Sequence, residues 1–105
     1  MNLKEDFENA VTESKALIKR PDNDTLLKLY SLYKQATEGD IDPDTPAPNM
    51  FDFVNLAKQN AWKKLSGTTT DDAMGAYIRA VEQLKGAWSS VIRTFAKSFR
   101  AITLF

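Results

Sequence analysis

Apolar residues recur at every third or fourth position through most of this chain, and this period constrains the fold more than any other feature. The first run begins at Leu3, includes Val11 and Ile18, and is closed by Pro21. The second spans about residues 24–38 and stops before a glycine, the usual residue after a helix end. Since no segment alternates apolar and polar residues as a strand would, the sequence predicts an all-α fold.

Two more helices are predicted after a long connection. Residues 40–49 hold three of the four prolines and show no period, which predicts a loop. A third helix is predicted over about residues 53–65, and a fourth is capped by Thr69 or Thr70 and continues to Trp88. Long loops often carry function, but a plain connection explains this composition almost as well. The resulting architecture is a bundle of four helices with a crossover-length connection in the middle.

The residue types that are missing exclude several kinds of chemistry. The 105 residues include no Cys and no His, which removes disulfides, thiol nucleophiles, Cys/His zinc sites and imidazole bases. A formal net charge of zero and the lack of a dense basic patch argue against nucleic acid as a partner. The first residues show neither a secretory signal nor a membrane span, so a soluble cytoplasmic protein is expected.

Tyr30, Tyr33 and Lys34 are the residues of the second helix with the clearest chemical potential. Their spacing places two phenols and an ammonium group on neighbouring positions of one helix face. Such a face suits a ligand that has an aromatic base, a phosphate and an apolar part. From spacing alone, a packing stripe whose hydroxyls reach water is the commoner interpretation.

Four motifs resemble the acyl-CoA-binding protein family, also called diazepam-binding inhibitor. The motifs, in order along the chain, are YSLYKQATEGD at 30–40, MFDF at 50–53, AKQNAW at 57–62 and DAMGAYI at 72–78. The match covers roughly residues 3–88, so residues 1–88 are taken as the binding domain. The resemblance implies an up-down-down-up bundle of four helices that binds medium- and long-chain acyl-CoA thioesters and carries them to acyl-CoA-using enzymes.

The resemblance also implies a set of ligand contacts. Tyr30 would stack on the adenine and donate to the ribose 3′-phosphate, and Lys34 and Lys58 would pair with that phosphate. The other expected contacts are Tyr33, Tyr77 and Lys15 facing the ligand, and Leu26, Leu27 and Ala10, with Phe7, lining the acyl groove. No catalytic residue, metal or cofactor is expected.

Two departures from the family pattern concern the loop and the third helix. The connection before Met50 is about two residues longer than usual and contains Pro-Ala-Pro. Residues 54–56 replace a stretch that is often rich in Gly and Lys, and Gln59 replaces a common aromatic residue. Weaker pyrophosphate contacts are therefore expected. A helical protein-interaction module that has lost ligand binding is the alternative, against which the retained Tyr and Lys residues argue.

Residues 89–105 lie beyond most of the resemblance and are predicted to form an amphipathic basic helical extension. Its three charged residues are Arg93, Lys97 and Arg100, and no acidic residue occurs there. The apolar stripe consists of Trp88, Val91, Ile92, Phe95, Phe99 and Ile102. Three outcomes are open: packing on its own domain, a homodimer through exchanged tails, and an interfacial membrane helix. Self-packing or self-association is favoured, because three cations attract lipid only weakly.

Overall fold

The fold is built from four α-helices in a computed structural model that describes residues 2–17 and 20–85. The helices are α1 (Leu3–Lys15), α2 (Asn23–Glu38), α3 (Phe53–Lys63) and α4 (70–85). Within these two ranges no residue is in a strand. The predicted all-α class is confirmed. The expected continuation of α4 to Trp88, the domain boundary there and the 89–105 extension lie outside the described residues.

Side-chain caps fix where each helix begins. Asn2, Asp22, Asp52 and Thr69 each accept a hydrogen bond from the backbone N–H three residues further on, at 2.8–3.2 Å. These bonds satisfy donors that have no partner inside the helix. The predicted starts are confirmed to within one residue, because short polar side chains at these positions are a strong local signal.

The end of α1 differs from the prediction. The apolar period continues to Ile18, but the helix ends at Lys15. At this point the Ala16 N–H bonds to the carbonyl of Glu13, only three residues back, which tightens the last turn. By contrast, α2 ends as predicted at Gly39, whose φ of 79° is a left-handed conformation that glycine adopts without strain.

Contacts between α2 and α3 show that these helices run in the same direction. The Lys58 ammonium lies over the Tyr30 ring, and the Trp62 indole N–H bonds to Gln35 one turn further along both helices. Two parallel neighbours need a long connection, which residues 39–52 provide. The long loop between α2 and α3 is therefore required by their parallel arrangement.

The first helix lies beside α4 and runs parallel to it. The ring of Phe7 meets that of Tyr77 edge to face at 5.2 Å, and Glu13 pairs with Lys85 further along. Phe7 also stacks on Tyr33 of α2, which the short connection after α1 makes antiparallel. The order is therefore up-down-down-up, as predicted.

The core is formed by α1, α2 and α4. Its fully buried apolar residues are Phe7, Ala10, Leu29, Leu32, Ala36, Ala73, Tyr77, Ala80 and Val81. The third helix contributes no fully buried residue. Phe53 and Val54, which the sequence places on its apolar stripe, are 73% and 65% exposed. The helix is present, but its first turn does not belong to the core.

A buried glutamine joins α2, the following loop and the α3–α4 turn. Gln35 is 0% exposed. Its amide nitrogen donates to Asp40 Oδ1 and to the Thr68 carbonyl, both at 2.7 Å, and its oxygen accepts from the Trp62 indole at 3.1 Å. Asp40 Oδ1 also accepts from the Gly67 N–H at 2.8 Å. A buried amide with every hydrogen-bonding partner in place fixes the geometry of this end of the bundle.

Asp40 is expected to make stability pH-dependent. The Gly67 N–H and the Gln35 amide hold the pKa of Asp40 below its ordinary value of 3.8, because both donate to the charged carboxylate. Its contribution is therefore present above about pH 4 and is lost as the pH falls through the lowered pKa. In urea unfolding, the wild type should have a higher midpoint concentration than Asp40→Asn at about pH 5. This difference between the two midpoints should disappear as the pH is lowered to about 2. A difference that stays constant over this range would contradict the assignment.

Candidate ligand-binding site

The first cavity lies between α1, α2 and α4 and has a volume of about 450 Å³. It is lined by Val11, Ser14, Lys15, Pro21, Leu26, Leu29, Tyr30, Tyr33 and Tyr77. Five of the residues predicted for the site therefore share one cavity. Its wall combines aliphatic side chains with three phenols and one ammonium group, so it can hold an apolar chain and hydrogen-bond a polar end.

The second cavity lies between α2 and α3 and has a volume of about 530 Å³. It is lined by Arg20, Asn23, Leu26, Leu27, Tyr30, Phe53, Val54, Ala57 and Lys58. Leu26 and Tyr30 line both cavities, so these two side chains of α2 form the ridge between them. The two cavities are therefore neighbours, and each combines apolar lining residues with basic ones: Lys15 in the first, and Arg20 and Lys58 in the second.

Tyr30 and Lys58 form the pair that the sequence predicts as nucleotide contacts. The Lys58 ammonium lies 5.2 Å from the centroid of the Tyr30 ring, and both residues are partly exposed. A cation at this distance over an aromatic face is attracted by the ring quadrupole. The pair therefore places an ammonium group and a phenol together at the rim of the second cavity, where a phosphate can reach both.

Lys34 is held differently. Its ammonium forms an ion pair with Glu38 and lies 4.9 Å from the centroid of the Trp62 ring. The hydrogen bond to the Glu38 carboxylate raises the pKa of Lys34. Lys34 lines neither cavity. Because an exposed ion pair of this kind is worth only about 0–1 kcal/mol, a phosphate could draw the ammonium away at small cost.

Three aromatic residues in and behind the first cavity, Phe7, Tyr33 and Tyr77, pack against one another. The rings of Tyr33 and Tyr77 are 6.5 Å apart, and both pack against Phe7. The hydroxyl oxygens of Tyr77 and Ser14 are 2.9 Å apart, a hydrogen bond that satisfies a phenol whose side chain is buried. Tyr33 is 41% exposed and offers its ring at the opening.

Ala10 and Phe7 have a different placement from the other predicted contacts. Both are 4% exposed in the core, and neither lines a cavity. They support the groove from behind.

Several lining residues were not identified from the sequence. In the second cavity these are Arg20, Asn23, Phe53, Val54 and Ala57. One sequence feature that indicates Arg20 is its position next to Pro21, in the short connection between α1 and α2. A second signal was the surplus of apolar residues at the start of α3.

The described part of the chain contains neither a metal-binding cluster nor a membrane-spanning helix. In 2–17 and 20–85, no three His, Cys, Asp or Glu side chains are grouped closely enough to hold a metal ion. No helix in the same ranges is long and apolar enough to cross a membrane.

Comparison with known proteins shows the family. The family model described as "Acyl CoA binding protein" matches residues 4–81. An acyl-CoA-binding protein of Brassica napus is 48% identical over 90 residues, covering 86% of this chain and 96% of that protein. The crystal structure of Oryza sativa acyl-CoA-binding protein 2 superposes with a TM-score of 0.78 at 37% identity, covering 85% of this chain and 97% of that one. The chain belongs to the acyl-CoA-binding protein family.

One relative carries this domain within a larger protein. Enoyl-CoA delta isomerase 2 of Rattus norvegicus is 46% identical over 84 residues, which are 79% of this chain but 21% of that protein. The similarity is confined to the binding domain.

Proposed function

We propose that this protein binds medium- and long-chain acyl-CoA thioesters, one per chain, and acts as their carrier. The proposal rests on the pairing of Tyr30 and Lys58 at a ridge that borders both cavities. The phenol and the ammonium supply a phosphate anchor, and the aliphatic walls on either side of Tyr30 supply a surface for the chain. A ligand with one phosphorylated aromatic end and one apolar end uses both.

In the proposed complex each part of the ligand has its own partner. The Tyr30 ring stacks on the adenine, while Lys58, and Lys34 after release from Glu38, bind the 3′-phosphate. Lys15 lies at the opposite side of the ridge, where it can meet other phosphates of the nucleotide. Leu26 and Leu27 contact the acyl chain, with Ala10 and Phe7 behind the groove and Tyr33 and Tyr77 along it.

The proposed role is binding and delivery, without chemistry on the thioester. Three plant relatives that match along more than nine tenths of their length are named as acyl-CoA-binding proteins. We propose that the clients are acyl-CoA-using enzymes in the cytoplasm, which suits a small chain that has no cysteine for a disulfide framework.

Affinity is expected to rise with acyl length. Each methylene buried in the groove contributes about 0.8 kcal/mol, which corresponds to about fourfold in affinity. Calorimetric titration with butyryl-, octanoyl-, dodecanoyl- and palmitoyl-CoA should therefore show a steep increase that levels off when the groove is full. Affinities independent of chain length would contradict a buried acyl chain.

A matched pair of variants tests where the chain lies. Leu26→Ala removes a side chain that borders both cavities, so it should reduce the gain in affinity between octanoyl- and palmitoyl-CoA. Leu3→Ala removes a leucine of α1 that lines neither cavity and should leave the gain unchanged. The alternative function, a protein-interaction module without a ligand, predicts no binding heat with any member of the series.

A further inference from the structure

Two pairs of an ammonium group and an aromatic ring stand one turn apart between α2 and α3. The Lys58 ammonium lies over the Tyr30 ring, and the Lys34 ammonium lies over the Trp62 ring. Tyr30 and Lys34 are four positions apart on α2, as are Lys58 and Trp62 on α3, so the pairs are neighbours along the two parallel helices. Neighbouring turns are about 5.4 Å apart, a spacing over which one phosphate can bridge two ammonium groups.

Lys34 has an anionic partner on its own helix, the carboxylate of Glu38. The hydrogen bond to Glu38 is the largest influence that raises the pKa of Lys34, and the phenols of Tyr30 and Tyr33 act in the same direction, which places both within electrostatic reach. The Lys34 side chain is 24% exposed, whereas that of Glu38 is 53% exposed. The carboxylate is therefore the partner that can turn into water while the ammonium group stays over Trp62.

Glu38 occupies a position that is unfavourable for a carboxylate. It is the last residue of α2, whose last turn contains no basic residue. The unpaired carbonyls make this end of a helix negative, so an acidic side chain is destabilising there. The pair with Lys34 also has the weaker order, because a lysine four residues before a glutamate stabilises a helix less than the reverse order. Helix stability does not account for Glu38, which points to a role at the neighbouring phosphate anchor.

We propose that Glu38 is a positioning residue that competes with the 3′-phosphate of the ligand for Lys34. When no ligand is bound, its carboxylate neutralises the ammonium group. The phosphate displaces the carboxylate on binding, and the carboxylate returns as the phosphate leaves. Because affinity differences among variants of one site arise mostly in the dissociation rate, this competition speeds release, which suits a carrier that must deliver its ligand. The inference rests on the proposed function, since it takes the phosphate anchor as given.

Calorimetric titration of the full chain compares Glu38→Gln with the wild type. The variant frees Lys34, so it should bind palmitoyl-CoA about two- to fivefold more tightly, the range that corresponds to an exposed ion pair. Palmitoyl-dephospho-CoA lacks the 3′-phosphate, and both proteins should bind it with the same affinity. Equal affinities of the two proteins for palmitoyl-CoA, or an equal gain for both ligands, would overturn the inference. A wild type that does not bind palmitoyl-CoA at all would instead refute the proposed function, and the inference with it.

Two further variants test the route of the effect. Glu82 is also an exposed glutamate of a helix that pairs with a lysine, Lys85, and it lines neither cavity. Glu82→Gln removes the same charge and should leave the affinity unchanged. In the Lys34→Met background, adding Glu38→Gln should give no further gain, because the two residues act as a unit. A gain of full size in that background, or the same gain in Glu82→Gln, would mean that Glu38 does not act through Lys34.

Urea unfolding separates this role from a purely structural one. Because a carboxylate is unfavourable at the end of α2, Glu38→Gln should unfold at the same urea concentration as the wild type or at a higher one. A lower midpoint together with unchanged binding of palmitoyl-CoA would show that the pair only stabilises the helix, and the inference would be wrong.

Discussion

Lys58→Ala is expected to weaken binding of palmitoyl-CoA by about 10- to 150-fold, which corresponds to about 1.5–3 kcal/mol. The variant removes the charge-assisted hydrogen bond that we propose between the Lys58 ammonium group and the 3′-phosphate of the ligand. Lys58 is only partly buried and does not belong to the core, so the fold should survive. Tyr30→Ala should cost at least about tenfold, since it removes both the stacking surface and the phenol. Calorimetry measures both effects.

Lys63→Ala is the matched control for charge. Lys63 is an exposed lysine of the same helix that lines neither cavity. If Lys63→Ala weakens binding as much as Lys58→Ala, the protein attracts the ligand through its general charge and the anchor is wrong. Circular dichroism of each variant should show unchanged helix content. A loss of helical signal in Tyr30→Ala would assign this tyrosine to packing.

Gln35→Ala is expected to lower the free energy of unfolding by about 2–4 kcal/mol. The substitution opens a void at a fully buried position and leaves the Thr68 carbonyl without its donor. Trp62 keeps one acceptor, the Gly39 carbonyl at 2.9 Å, so the indole itself is not orphaned. Urea unfolding followed by circular dichroism gives the value.

Gln83→Ala provides the comparison for the loss of a glutamine. Gln83 is exposed on α4, where such a change should stay within about 0.5 kcal/mol. Gln35→Met adds a test of the hydrogen bonds, because it keeps most of the volume and still leaves the Thr68 carbonyl without its donor. If both Gln35 variants unfold at the same urea concentration as Gln83→Ala, the buried network does not stabilise the bundle.

The helices could be predicted from the sequence because their signals are local. The apolar period predicts each helix to within one residue of its start, where Asn2, Asp22, Asp52 and Thr69 form the caps. The sequence predicts too late an end for α1, because the apolar period continues to Ile18. The helix itself ends at Lys15, and the next N–H, that of Ala16, bonds only three residues back. Local patterns do not report which neighbour an apolar residue will meet, and for this reason the exposure of Phe53 was not foreseen.

The site could be predicted in part. The resemblance to the family predicts Tyr30, Lys58 and Leu26 as site residues, and all three line the cavities. The pairing of Lys34 with Glu38 is a contact that the sequence could predict, because the two residues stand four positions apart on one helix, a spacing that brings side chains together. The sequence does not predict the buried hydrogen bonds of Gln35, because its partners Asp40, Trp62 and Thr68 come together only in the folded chain.

The most direct measurement is a calorimetric comparison of palmitoyl-CoA, free CoA and free palmitate on the full chain. Palmitoyl-CoA should bind one to one with nanomolar to submicromolar affinity, because it engages the phosphate anchor and the apolar groove together. Free CoA should bind far more weakly, and palmitate hardly at all, since it lacks the phosphate that Tyr30 and Lys58 are proposed to hold. Equal affinities for palmitate and palmitoyl-CoA would contradict the account.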